Sequence, residues 1–93
     1  MLTHDKIVEA VTKAAGQFSL SKVEYFGSYA DGLATEESDL DLLVEFTTDS
    51  VSLLTIIGLK QYLEEELTIP VDVVHAPISP EAIIEIERTV RVL

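Results

Sequence analysis

A chain of 93 residues that is 47% apolar can bury one modest core, which predicts a single domain over 1–93 and excludes a disordered tail. Without cysteine it can form neither a disulfide nor a thiolate metal site, its apolar runs are too short to span a bilayer, and its first residues lack a signal-peptide pattern, so the cytoplasm is the expected location and no membrane partner is expected. A net charge of −11, from 17 acids against 6 scattered bases, argues against direct binding of nucleic acid and leaves two readings, solubility or attraction to a basic partner protein.

In chain order, apolar residues at helical spacing (Ile7, Val8, Val11, Ala14, Ala15) predict a helix over 3–16, with Thr3 as N-cap and Gly16 at its end. Val23, Tyr25 and Phe26 predict a strand over 19–28, followed by a polar, glycine-containing loop over 29–38. Residues 39–46 read as a second strand, with Leu40, Leu42, Val44 and Phe46 facing the core. Asp49 or Ser50 is expected to cap a helix over about 51–66, and a third strand over 70–75 follows Pro70. Ser79-Pro80 opens a final helix over about 80–89, and Val90–Leu93 fits a last helical turn or a short edge strand. Two helices are apolar on more than one stripe, the middle one at Val51, Leu53, Leu54, Ile56, Ile57, Leu59 and Leu63 and the C-terminal one at Ile78, Ile83, Ile84, Ile86, Val90, Val92 and Leu93. Both can be well buried in one copy, but so short a chain has little interior to hide them. Part of that surface is therefore a candidate contact with a partner or with a second copy.

The chemistry is concentrated in one stretch. Ten residues separate Gly27-Ser28 from Asp39-Leu40-Asp41. A strand ending in Gly-Ser offers backbone N–H groups and a small hydroxyl to a phosphate, with no bulky side chain in the way. Asp39 and Asp41, two apart on a strand, point to one face as a pair of hard oxygen ligands. Two such acids can equally be a solvated sheet face. A phosphate cradle opposite them favours a magnesium–nucleotide site.

Phe26-Gly27-Ser28-Tyr29-Ala30, then Gly32, then Ser38-Asp39-Leu40-Asp41-Leu42-Leu43-Val44 resembles the minimal nucleotidyltransferases of the DNA polymerase beta-like superfamily. The resemblance extends to Pro70-Val71-Asp72-Val73-Val74, where the family carries a third aspartate. It implies an α+β fold, a short mixed sheet with helices mainly on one face. It also implies that Asp39, Asp41 and Asp72 bind two Mg²⁺ ions and carry catalysis, and that Gly27 and Ser28 hold the nucleotide's phosphates. The implied reaction is transfer of NMP, AMP from ATP foremost, to a protein hydroxyl. The implied acceptor is a tyrosine of a HEPN-type toxin, for which the chain would act as antitoxin.

The sequence departs from the family in one respect. Many members carry a base at position 29 or 31, where this chain has Tyr29 and Asp31, and Asp31 adds negative charge near the expected phosphates. That opens a second reading, an antitoxin that neutralises its partner by binding alone. A third, transfer to a cationic small molecule, lacks a second lobe to enclose the acceptor. Gly32 reads as a turn residue, and His4 and His75 as structural side chains.

Overall fold

The periodic apolar residues of the N-terminal segment wind into α1 (His4–Phe18), which buries Ile7, Ala10, Val11 and Ala14. Thr3 caps it by accepting a hydrogen bond from the Lys6 N–H at 3.3 Å. This is the computed structural model of the chain, and it describes residues 2–48, 50–75 and 88–93. The helix does not stop at Gly16. It runs on to Phe18, whose ring packs against Tyr62 with centroids 5.8 Å apart, and ends at Ser19, a left-handed residue with φ 55°. The tertiary contact outweighs the local glycine signal.

β1 (Leu20–Phe26) follows at once, and the chain leaves it at Gly27. The expected loop begins instead with one helical turn, α2 (Ser28–Asp31), held by the buried Ala30 and closed by Gly32 at φ 75°. β2 (Leu40–Phe46) alternates as predicted: Leu40, Leu42 and Val44 are fully buried, while Asp41, Leu43 and Glu45 face away from the helices.

α3 (Leu53–Leu67) starts later than expected, because Ser52, and not Ser50, caps it; Asp49 lies outside the described residues. The Ser52 Oγ accepts from the Thr55 N–H at 3.2 Å. α3 then leads into β3 (Val71–His75), which lies parallel to β2, as a strand–helix–strand crossover requires. The chain ends in β4 (Val90–Arg91), antiparallel to β1, which decides the C-terminal tail in favour of an edge strand. Residues 80–87 of the expected last helix lie outside the described residues, and Arg88 and Thr89 are not helical.

The sheet order is β3-β2-β1-β4, with β1 and β2 antiparallel, so the sheet is mixed. Register fixes its two faces. Tyr25, Leu42 and Val73 form one row of the core face, and Val23, Val44 and His75 the next. Val23, Tyr25, Leu42 and Val44 of these rows pack under α1 and α3 and join Leu59, Leu63, Leu67 and Val71 in a single core, with Val73 against it. The opposite face carries the rows Phe26–Asp41–Asp72 and Glu24–Leu43–Val74. Among the described residues α1 and α3 lie on one side of this mixed sheet, an α+β arrangement, and the acids lie on the other.

Candidate active site

The carboxylates reach the open face by different routes. Asp41 sits on β2 between two neighbouring strands and is partly buried. Asp72 is exposed on the edge strand β3, directly beside it in register. Asp39 is exposed in the segment that enters β2. A small hydrogen-bonded turn precedes it, in which the Thr35 N–H donates to Ser38 Oγ at 2.8 Å and the Ser38 N–H donates to the Thr35 carbonyl at 3.0 Å. The Leu40 N–H then donates to the Pro70 carbonyl at 3.0 Å, which locks the starts of β2 and β3 together and sets Asp41 against Asp72.

Gly27 completes the group for a reason the sequence did not show. Its φ of 72° and ψ of −147° favour glycine, and a Cβ built there would collide with the Asp41 Oδ2. The Asp41 carboxylate therefore rests against the bare backbone of Gly27. Ser28 is the first residue of α2, whose opening N–H groups have no intrahelical partner, and Gly27 offers no side-chain cap to them. The phosphate-binding expectation thus falls on a strand end followed by opening N–H groups that have no hydrogen-bond acceptor among the described residues, next to the acid pair.

The electrostatics are uncompensated. Burial pushes the Asp41 carboxyl above the usual aspartate value of 3.8, the Asp72 charge and a hydrogen bond shared with Asp72 push it further, and the Asp39 charge adds a smaller effect. Among the described residues no lysine, arginine or histidine pairs with Asp39, Asp41 or Asp72. On the same face Lys22 is engaged by Glu24 at 2.9 Å and Glu45 at 3.9 Å. Hard oxygen donors, mutual repulsion and no competing cation suit a divalent ion such as Mg²⁺. Among the described residues no three ligating side chains are gathered closely enough to enclose an ion, so the donor set in hand is the Asp41–Asp72 pair with Asp39 near it.

The other candidates have structural partners. His4 Nδ1 lies 3.0 Å from the Tyr25 hydroxyl, and His75 packs edge-on against Phe46 with ring centroids 5.2 Å apart. Asp31 is exposed at the end of α2. Phe26, in register with Asp41, and the half-buried Leu43 and Val74 give the open face an apolar floor beside the acids. Their alternation with core residues was the sequence signal for it.

The chain is similar to known proteins in sequence and in fold. The nucleotidyltransferase domain family matches residues 4–92. The protein adenylyltransferase MntA of Thermococcus cleftensis is 40% identical over 78 residues, covering 80% of this chain and 78% of that protein. A solved structure assigned as a minimal nucleotidyltransferase superposes with a TM-score of 0.77 at 32% identity, over 96% of this chain and 95% of that one. At 18% identity a likeness of fold alone extends to a chain in the complex of a tri-AMPylated Shewanella oneidensis HEPN toxin with an MNT antitoxin, with a TM-score of 0.72 over 98% of this chain and 72% of that one. With its fold, its Gly-Ser turn and a family match across nearly its whole length, the chain belongs to the nucleotidyltransferase family, among its minimal members.

Proposed function

We propose that the chain is a protein adenylyltransferase that moves AMP from ATP to a tyrosine hydroxyl of a HEPN-type toxin and thereby acts as its antitoxin in the cytoplasm. The observation that carries this reading is the Asp41–Asp72 pair, held without a counter-charge against the Gly27 backbone. The activity of the Thermococcus relative and the AMPylated toxin bound in a complex of the same fold support the substrate and the partner.

In this reading the first N–H groups of α2 and the Ser28 hydroxyl hold the β- and γ-phosphates. Asp41 and Asp72, with Asp39 near them, would hold the two Mg²⁺ ions. Bound metal would supply charge neutralisation and a lowered pKa for the incoming hydroxyl. Asp72, open at the sheet edge, accepts the proton of that hydroxyl as its oxygen bonds to the α-phosphorus and pyrophosphate leaves. The apolar floor of Phe26, Leu43 and Val74 keeps water from part of the face.

The test uses the protein, ATP, Mg²⁺ and the HEPN-type protein with which it is found. Intact mass should show the partner gaining AMP, and Asp41→Asn should abolish the gain, a loss of several kcal/mol of transition-state stabilisation. Asp31 favours the second reading, a binder with little or no catalysis. If Asp39→Asn with Asp41→Asn neutralises the partner as well as the wild type does, that reading replaces the first.

A further inference from the structure

The last turn of α3 is built against its own dipole. A helix C-terminus favours cations, yet α3 ends in Glu64-Glu65-Glu66 with no base in its last turn. Two of the three are answered from elsewhere: Lys60 pairs with Glu64 at 2.9 Å and Lys13 with Glu66 at 3.8 Å. Among the described residues Glu65 has no ion pair and is exposed. At the other end of the helix stands the largest exposed apolar group among the described residues: Leu53 is 70% exposed, Leu54 79% and Ile57 39%. Leu53, Ile57, Gln61 and Glu65 are spaced by four, so they form one ridge about 18 Å long, with Leu54 beside it.

We infer that this ridge of α3, apolar at Leu53, Leu54 and Ile57 and acidic at Glu65, is the docking surface for a basic amphipathic helix of a second protein. Charge selects the occupant. A helix that sets apolar residues over Leu53–Ile57 and lysines or arginines over Glu65 covers the exposed side chains and neutralises the uncompensated helix end. A second copy of this chain fits poorly. Parallel ridges would bring Glu65 against Glu65, antiparallel ridges would set Glu65 on the partner's leucines, and each copy carries −11. The ridge lies on the helix layer and the acid pair on the opposite face of the sheet, so docking leaves the candidate active site free. The inference rests on the ridge and not on the reading of that site.

The probe is a synthetic helical peptide with leucines on one face at one end and lysines at the other, titrated into the full chain and followed by NMR. A control peptide carries glutamate in place of lysine. The lysine peptide should shift α3 amides from Leu53 to Glu65, and the control should bind roughly ten-fold more weakly or not at all. Leu54→Glu and Glu65→Lys should each weaken the lysine peptide by roughly ten-fold. Both variants should keep the wild-type melting temperature and ATP affinity, and Asp41→Asn should leave peptide binding unchanged. The inference is overturned if the lysine peptide does not bind, if it shifts another surface, or if Leu54→Glu and Glu65→Lys bind it as the wild type does. It is equally overturned if sedimentation shows a dimer that Leu54→Glu dissociates, which would assign the ridge to a second copy.

Discussion

Asp41 is a partly buried carboxyl with acids for neighbours, and its charged form strains the metal-free fold. Its pKa is raised on folding, so the folded chain takes up this proton more readily than the unfolded one. The group's contribution to stability is therefore greatest below the ordinary value of 3.8 and declines as pH rises through the folded value. Asp41→Asn should raise the melting temperature of the metal-free protein by a few degrees at pH 7, and the gain should vanish near pH 3, as thermal melts at the two pH values would show. Mg²⁺ should raise the wild-type melting temperature and move the variant much less, since a ligand stabilises only the state that binds it. Equal metal responses would rule out Asp41 as a ligand. Gly27→Ala should cost about 1–3 kcal/mol from the positive φ and from displacing the Asp41 carboxylate. Chemical denaturation gives the stability, and transfer activity should fall even in the folded fraction. Asp31→Arg should tighten ATP by about 0.5–1 kcal/mol in calorimetry, a modest gain because the position is exposed.

Among elements, α3 is held at both ends by side chains the periodicity does not reveal. Ser52→Ala should lose about 1 kcal/mol in urea denaturation through loss of the Thr55 N–H acceptor. At the far end the Glu64 Oε2 accepts from Lys60 at 2.9 Å and from the Val71 N–H at 3.0 Å, tying the helix to the first residue of β3. Lys60 first, and then the Val71 amide, hold the Glu64 carboxyl below the usual 4.5. A lowered folded pKa gives stability that is present above 4.5 and lost as pH falls through the folded value. Glu64→Gln should flatten that acid limb in a pH series of melts, with little change in its slope near neutrality. β2 was legible nearly to the residue, because strict alternation around Asp41 admits only one facing. The ends of the helices were less legible. At Gly16 the Phe18–Tyr62 contact prevailed over a local glycine, and three hydroxyl or carboxyl residues before α3 competed for one cap.

At the scale of the whole molecule, the acids of the site were visible as residue types at a spacing, but their meeting was not. Asp72 meets Asp41 only because β3 pairs parallel to β2 in one register, and a shift of one residue would turn Asp72 toward the helices. At the start of that register stand the Leu40 bond to the Pro70 carbonyl, a long-range contact, and the Val71 bond to the Glu64 side chain, neither of which a local periodicity encodes. The net charge acts on the same scale. At −11 the chain repels itself, and the listless pairing of its few bases leaves most of that charge unscreened. Raising sodium chloride from low to physiological strength should stabilise the metal-free protein in thermal melts. A further rise with millimolar Mg²⁺ at constant ionic strength, lost in Asp41→Asn, would separate a bound ion from general screening.

The backbone at Gly27 has a handedness that can be put to use. Its φ of 72° and ψ of −147° are the mirror image of an ordinary extended conformation. An L-side chain there meets Asp41, whereas a D-side chain would project from the other α-hydrogen position with its backbone relaxed. A chain assembled by chemical synthesis with D-alanine at 27 should fold at least as stably as the glycine form, because the methyl restricts the unfolded state. Stereochemistry at one α-carbon would then decide whether the acid pair keeps its place, with composition, charge and volume held constant.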